Sequence, residues 1–419
     1  MSLVRASVWT ALSMLIKLIS GLMVVKLFAL SFGPEGIGQA GNFRQMITVL
    51  GVLAGAGIFN GVIKAVAGTE QNPQALRKVT GTASTLVLLC SLLLAVIFLL
   101  FASQIATLLF GDDRFKNVIR GVAVFQCAIA WANLSLSVIK GFRDARGSAL
   151  VVTVSSVLGV VIWYLLFSLW GYAGALAGLA AIPAVVLLPA SYYLLRHPVI
   201  TWRVFLPCWD GVIARHLSKF ILMTLLTAVT LPVAWVMMRN QLAASHGWHQ
   251  VGLWQGVTTL SDAYLQLITA TFTVWLLPTL AKLNDRRQIA IEILRTLSFI
   301  LPVMLLVSGV LWLCRDWVIL LLFSAEFTPM RDLFIWQLTG DIFKIGAYVF
   351  GYLIIAHASL RFYLLTELTQ FLLLVLFSRW LIPQGGTVGA AQAYMYAYLL
   401  YFMLCCGCFY LYCRKIPSC

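Results

Sequence analysis

The stretch VWTALSMLIKLISGLMVVKLFALSFGPEGIGQAGNFRQMITVLGVLAGAGIFNGVI, residues 8–63, decides the fold class of this 419-residue chain. It holds two apolar runs, 8–30 and 42–63, separated by the Gly- and Pro-punctuated segment 31–41. A helix needs roughly 20 mostly apolar residues to cross a bilayer, and each run has that length. Outward from this pair the pattern recurs ten times, over 79–102, 117–139, 149–170, 174–195, 218–238, 251–278, 296–313, 332–356, 362–382 and 388–412. The spacing predicts an all-α polytopic membrane protein with twelve transmembrane helices. Composition agrees: 62% of residues are hydrophobic and 10% charged, against roughly 25% charged in soluble domains. A water-soluble fold is excluded. The first run carries Lys17 and Lys26 and is too long for the apolar core of a cleavable signal, so it reads as a span.

The formal charge of +15 would suggest nucleic acid in a soluble protein. Here topology accounts for it. With the N-terminus placed in the cytoplasm, eighteen Lys and Arg, Arg203 and Lys415 among them, fall on the cytoplasmic side and six on the other. That asymmetry predicts cytoplasmic termini and leaves no need for a nucleic-acid partner. Seven of the nine Cys sit inside apolar runs, where Cys acts as a small hydrophobe. Cys405-x-x-Cys408 reads as packing within its helix. His197, His216, His246, His249 and His357 lack metal-ligand spacing. Nothing calls for a cofactor, a metal or a catalytic residue.

The halves of the chain match at a nearly constant offset. Ser31-x-Gly33-x-x-x-Ile37-Gly38 recurs as Ser245-x-Gly247-x-x-x-Val251-Gly252, Leu108-Leu109-Phe110 as Leu321-Leu322-Phe323, and Gly171-x-x-Gly174-Ala175 as Gly386-x-x-Gly389-Ala390. Six spans per repeat is an even number, so both halves enter the membrane with the same orientation. Parallel repeats of this kind are a transporter architecture with substrate between the halves. The expected organisation is a six-helix bundle over 1–203, a linker at 204–217 and a second bundle over 218–419. Gly51/Gly55 and Gly57/Gly61 read as close helix packing, and Pro232, Pro278 and Pro302 as kinks or helix ends.

An ionisable group near the bilayer centre is costly and usually faces a cavity or a partner. Lys26, Arg44 and Arg120 lie near the outer ends of their spans, where snorkelling competes with a functional role. Lys17 lies too deep to snorkel easily, and Thr10, Ser13, Lys17 and Ser20 share one face of the first helix. Span eight carries a longer stripe: Gln255, Thr258, Thr259, Asp262, Gln266, Thr269 and Thr273 fall within a sector of about 100°. It reads as cavity lining, with interhelical polar packing as the alternative. Span ten puts Gln337, Asp341, Lys344 and Tyr348 on one face. Asp341 and Lys344 are expected to pair, and a structural and a functional pair stand equally open. Glu367 and Gln370 on span eleven are open to both readings. Spans one to six hold four basic residues and no acid, whereas spans seven to twelve hold Asp262, Asp341 and Glu367 against Lys344. Cations without acids predict an anionic substrate, with phosphate the natural match.

ASVWTALSMLIKLISGLMVVKLFALSFGPEGIGQAGNFRQ (6–45), with its Gly-Pro-Glu-Gly motif, resembles the start of polysaccharide-exporter family proteins. The likeness continues through VLGVLAGAGIFNGVIK (49–64), KGFRDARG (140–147), GLWQGVTTLSDAYLQ (252–266), RDLFIWQLTGD (331–341) and FGYLIIAHASLRFY (350–363). Over essentially its whole length the chain is similar to Wzx-type lipid-linked oligosaccharide flippases, those of enterobacterial common antigen synthesis in particular. The resemblance implies a fold like the multidrug and toxin extrusion transporters, with the two parallel six-helix repeats around a central cavity. It also implies the inner membrane of a Gram-negative enteric bacterium and an undecaprenyl-pyrophosphate-linked trisaccharide as cargo. Related lipid II flippases hold pyrophosphate with basic residues of the first two helices and around the eighth. Lys17, Lys26 and Arg44 correspond by helix, while span eight offers Asp262 in place of a cation.

On this reading Ser13, Gln255, Thr258, Thr259 and Gln266 meet sugar hydroxyls, and Asp262, Asp341, Lys344 and Glu367 serve coupling or release. Lys17 and Lys26 are nine residues apart, about 180° around a straight helix, so sharing a cavity requires a bend, with Gly21 the candidate. The resemblance further implies a monomer working beside the polymerase and chain-length proteins of its pathway. Three rivals are weighed. A cation or drug exporter of the same fold calls for acids in the first six spans. A major-facilitator transporter calls for a Gly-x-x-x-Asp-Arg-x-Gly-Arg loop that 64–79 lacks. An intramembrane glycosyl- or acyltransferase calls for a base and acceptor pair at one membrane face.

Overall fold

The computed structural model describes residues 3–55, 57–69, 72–196, 205–283, 285–357 and 360–414. The bundle boundary at 203–204, His197, Arg203 and Lys415 lie outside the described residues, as do the side chains of Arg5, His216, Lys219 and Arg414. The chain runs α1 (Leu3–Leu53), α2 (Phe59–Ala67), α3 (Pro73–Leu100), α4 (Ala102–Phe110), α5 (Lys116–Gly141), α6 (Ala145–Val185) and α7 (Leu187–Leu195). It continues through α8 (Gly211–His246), α9 (Trp248–Thr271), a π turn (Phe272–Leu276), α10 (Leu277–Lys282), α11 (Arg286–Leu313) and α12 (Arg315–Leu322). A 3-10 segment (Ala325–Leu333), α13 (Phe334–Ala356) and α14 (Leu360–Arg414) complete it. No strand occurs among the described residues, as lipid demands of a chain that must satisfy its backbone polar groups within each segment.

Among the described residues, seven helical stretches are long and apolar enough to cross a membrane. Three of them, Val8–Leu53, Ala145–Leu195 and Arg361–Cys413, run 46, 51 and 53 residues, about twice one span. Each is interrupted by a glycine in the left-handed region: Gly33 (φ 59°), Gly171 (φ 56°) and Gly386 (φ 53°). Each is therefore two spans, which makes ten. Helices α8 and α9, the latter diluted in apolar residues by its polar stripe, meet at Gly247 (φ 84°) and complete the predicted twelve.

The internal repeat is built into these breaks. Gly33 and Gly247 are equivalent positions, and so are Gly171 and Gly386. Where the sequence predicts loops at 31–41 and 239–250, the chain instead leaves one helix and begins the next through a single residue, because glycine accepts positive φ without a Cβ penalty. Three residues beyond the second pair, a Cβ on Gly174 would strike the carbonyl of Leu166, and one on Gly389 that of Leu381. Gly38 packs against the Trp248 carbonyl and Gly252, and Gly252 packs in turn against the Pro34 carbonyl. The short helices α4 and α12 follow the long helices α3 and α11 and end on the repeated Leu-Leu-Phe.

Two expectations are corrected. Helix α1 is helical through Gly21 and breaks only at Gly33, so no bend separates Lys17 from Lys26. The glycines of span two do more than pack. The helix stops at Leu53, Gly57 turns through φ 66°, and α2 restarts at Phe59, whose ring covers Gly55. The Gly51 carbonyl accepts a hydrogen bond from Asn133 Nδ2 at 3.0 Å.

The chain forms two compact units, Met1–Phe28 with Asn42–Pro232, and Ala29–Gly41 with Val233–Cys419. A core of the first gathers Ile58, Val62, Leu76, Val87, Leu134 and Val138. One of the second gathers Leu276, Ile289, Ile293, Met304, Ile345 and Val349. Side chains such as Leu100, Trp317 and Phe299 point outward, as lipid-facing positions do.

The close approaches at the repeated glycines carry a prediction. Gly174→Val and Gly389→Val each force backbone apart and cost at least about 1–3 kcal/mol. Both lower the Tm of the detergent-solubilised protein. Nothing lies within 4 Å of a Cβ on Gly21, so Gly21→Ala leaves Tm unchanged or raises it through a gain of about 0.5–1 kcal/mol in helix propensity.

Candidate functional site

The cations Lys17, Lys26 and Arg44 lie on α1, and Arg120 lies on α5. In the first unit Lys17 is exposed on α1, whereas Ser13, one turn earlier, is buried and donates its hydroxyl to the Thr10 carbonyl at 2.9 Å. That back-bond occupies Ser13 within its own helix. Lys26 is half-buried and Arg44 exposed. With no break between them, Lys17 and Lys26 stand on opposite faces of α1. Arg120 is exposed, and its guanidinium donates to Asn117 Oδ1 at 3.4 Å.

In the second unit the stripe on α9 divides in two. Its first turns are buried and mutually bonded. Arg239 Nε donates to Gln255 Oε1 at 2.7 Å, Gln255 Nε2 to Thr259 Oγ1 at 3.1 Å, and Thr258 Oγ1 to the Gln255 carbonyl at 3.0 Å. The Arg239–Gln255 bond joins α8 to α9, while Thr258 and Thr259 are bonded within α9. Arg239, predicted in an outer loop, lies inside α8 and is buried, since that helix continues to His246. Further along, Asp262 and Gln266 are exposed and their side chains make no hydrogen bond among the described residues. Thr269 and Thr273 close the stripe against Tyr352, whose hydroxyl lies 2.9 Å from Thr273 Oγ1 and donates to the Thr269 carbonyl at 3.1 Å.

Asp341 and Lys344 sit one turn apart on α13 and both are buried, yet they form no ion pair. Asp341 instead receives three hydroxyls: Ser261 Oγ at 2.6 Å, Tyr394 at 2.6 Å and Tyr264. Hydrogen bonds to a charged acceptor are shorter and roughly twice as strong as neutral ones, so the hydroxyls offset much of the desolvation of this carboxylate. The Lys344 ammonium lies 5.4 Å from the Tyr398 ring centre, 5.5 Å from Tyr394, 5.9 Å from Trp235 and 6.0 Å from Tyr348. Four aromatic faces thus share one cation, each contributing about 0.5–2 kcal/mol. Glu367 and Gln370 are buried one turn apart on α14, and Glu367 Oε2 and Gln370 Oε1 have no hydrogen-bond partner.

The sequence reading missed Arg239, Tyr264, Tyr394 and Tyr398. Tyr394 and Tyr398, four residues apart in mid-span, share a helix face, and that spacing was a usable signal. Nothing local marked Tyr264 as a donor to Asp341, 77 residues away. Chemically, the second unit offers an open carboxylate backed by a caged cation, and the first offers exposed cations.

Residues 32–332 match the family model described as "Polysaccharide biosynthesis protein". The chain is 56% identical over 415 residues to the lipid III flippase of Escherichia coli (strain K12), covering 99% of this chain and 100% of that protein, and the same figures hold for the lipid III flippase of Shigella flexneri. Among solved structures it is similar to an inward-facing multidrug resistance MATE family transporter of the MOP superfamily. The TM-score there is 0.74 at 16% identity, over 97% of this chain and 96% of that one. Lipid II flippase MurJ in its inward closed conformation gives 0.71 at 14% identity, over 99% and 94%. At these identities the structures establish the shared fold.

The hydroxyl shell around Asp341 predicts an ordered series. Removing one donor with Tyr264→Phe costs about 1–3 kcal/mol. Asp341→Leu strands three hydroxyls and the nearby Lys344 charge and costs more, about 3–5 kcal/mol. The Tm values of the purified variants follow that order.

Proposed function

Because the chain belongs to the polysaccharide biosynthesis protein family, we infer that it is a lipid-linked oligosaccharide flippase and that its cargo is lipid III. The observation carrying this reading is 56% identity, end to end, with lipid III flippases. It is a multi-pass membrane transporter and forms no covalent intermediate. The cargo is an undecaprenyl-pyrophosphate-linked oligosaccharide of enterobacterial common antigen, moved from the cytoplasmic to the periplasmic leaflet of the inner membrane. The Lys and Arg asymmetry supports cytoplasmic termini. The halves 1–203 and 218–419, joined by 204–217, work by alternating access as a monomer beside the polymerase and chain-length proteins.

The physical problem is a charged, hydroxyl-rich head that lipid rejects, on a tail that lipid retains. Lys17 with Arg44 holds the pyrophosphate, Lys17 carrying most weight because it lies deep in its span, is exposed and has no ion pair among the described residues; Lys26, on the opposite face of an α1 that stays helical through Gly21, does not share that grip. Gln266 meets sugar hydroxyls, and Ser13, Gln255, Thr258 and Thr259 support the wall from behind. Asp262, backed by Lys344, Asp341 and Glu367, drives release by repelling phosphate or by exchanging a proton.

Two predictions follow the division of labour. Lys17→Ala loses transport at a normal membrane level, read by a leaflet-resolved assay of the lipid-linked oligosaccharide. Normal flipping by a stably inserted Lys17→Ala, Arg44→Ala double variant removes the anion-holding role. Asp262→Asn keeps shape and hydrogen bonding without charge, and it slows transport and flattens its pH dependence. Full transport with an unchanged pH profile leaves Asp262 only sugar binding or packing.

A further inference from the structure

The KGFRDARG segment at 140–147 joins α5 to α6, and the flippase reading leaves it without a role beyond topology. Its geometry is tightly specified. Gly141 packs against the Val66 side chain and the Ile63 carbonyl, which fixes the end of α5 against α2. Arg143 then takes φ 55°, the one left-handed conformation of a non-glycine residue among the described residues, with its N–H donating to the Lys140 carbonyl at 2.9 Å. The lone acid of the segment, Asp144, is spent twice: Oδ1 accepts the Gly147 N–H at 2.9 Å, and Oδ2 accepts the Tyr193 hydroxyl. The Tyr193 ring also covers Gly147, where a Cβ would strike it. These two contacts stitch the end of α7 to the start of α6.

The stitch gathers arginines that are far apart in sequence. Arg143 and Arg146 stand on either side of Asp144, and Arg196 caps the end of α7, one turn past Tyr193. All three are exposed, and none forms an ion pair among the described residues. Two are set over rings: the Arg146 guanidinium lies 5.8 Å from the Trp9 ring centre, and that of Arg196 lies 4.4 Å from the Tyr192 ring centre. Stacking of this kind orients the planar fork while its edge donors stay available to an oxyanion. Positive-inside topology explains basic residues in such a connection. It does not call for their only acid to be consumed, nor for two guanidinium groups to be held in place.

The apolar surroundings identify the occupant. Leu150, Val154, Val157 and Val161 form an exposed stripe on α6 that begins one turn past Arg146. Leu188, Tyr192 and Leu195 form another on α7 that ends beside Arg196. Both stripes lead away from the basic edge along helices that cross lipid. A soluble anion matches the arginines alone, whereas a molecule with a phosphate and acyl chains matches arginines and stripes together.

We infer that Arg143, Arg146 and Arg196 form a headgroup site for an anionic phospholipid of the surrounding bilayer, its phosphate on the guanidinium donors and its tails along the stripes of α6 and α7. Arginine grips phosphate through two parallel N–H donors, which suits a lipid that stays. A zwitterionic headgroup brings its own cation to the same edge and competes poorly. The site goes beyond the flippase reading and does not depend on it.

The full-length protein is placed in phosphatidylcholine nanodiscs holding a trace of phosphatidylglycerol with a photoreactive diazirine in one acyl chain, and labelled peptides are read by mass spectrometry. Label concentrates on 150–161 and 188–195, and an excess of plain phosphatidylglycerol removes it. Phosphatidylcholine carrying the same diazirine spreads over the lipid-facing helices without that preference. Arg146→Gln and Arg196→Gln each lower the phosphatidylglycerol label about fivefold, the factor that one cation at a membrane surface supplies. Tyr193→Phe cuts the stitch without changing charge and lowers the label about threefold, as loss of one hydrogen bond does. Lys282→Gln, an exposed lysine of the other unit, leaves it unchanged. Equal labelling of these peptides by the two probes in the unsubstituted protein marks an ordinary lipid face and overturns the site. So does full phosphatidylglycerol labelling of an Arg146→Gln, Arg196→Gln double variant. Displacement of the label by undecaprenyl pyrophosphate at a concentration where plain phosphatidylglycerol has no effect assigns the edge to that ligand and overturns the phospholipid. Transport is not read in this experiment, so the flippase reading stands or fails separately.

Discussion

A backbone crossing lipid has no water to satisfy its amides and carbonyls, so the spans must be joined with as little open chain as the geometry allows. At four places this chain does it with one residue, a glycine at positive φ: Gly33 and Gly247, Gly171 and Gly386. Everything else hangs on those breaks. Three of them end one span and start the next within stretches of 46 to 53 residues, and Gly247 does so between α8 and α9. The second glycines of each motif then let helix backbones touch: Gly174 and Gly389 against a carbonyl eight residues earlier, and Gly38 and Gly252 against each other. Side chains larger than hydrogen at these points would separate the helices that position every polar group discussed above.

The two units solve the problem of charge in lipid differently. The first leaves Lys17 and Arg44 exposed. The second buries its charges and surrounds them. Asp341 is wrapped by hydroxyls and Lys344 by ring faces, which supply each charge with its own shell in a medium where desolvation penalties are severe. A salt bridge between them would have consumed both charges. Held apart, each keeps its charge within a shell of its own.

The polar stripe of α9 shows how one periodic pattern serves two ends. Its first turns are committed to Arg239 and to one another, which anchors α9 to α8, and its middle presents Asp262 and Gln266 outward. An interhelical contact and an exposed polar face are separated along the helix axis rather than competing for the same residues.

Counting apolar runs was enough for the twelve spans, and the offset glycine motifs were enough for the repeat. Both are local properties, since span length answers to bilayer thickness and positive φ to the absence of a Cβ. The concentration of cations without acids in the first six spans was legible for the same reason. Partnership was not. Periodicity places a side chain on a face and at a depth, but whether Asp341 meets Lys344 or three hydroxyls depends on how α9, α13 and α14 rotate against one another. The same holds for Arg239, whose helix runs past the expected end of its span. Side-chain reach is only a few ångströms, so the sequence determined which charges the membrane must accommodate, and tertiary packing alone decided what each would face.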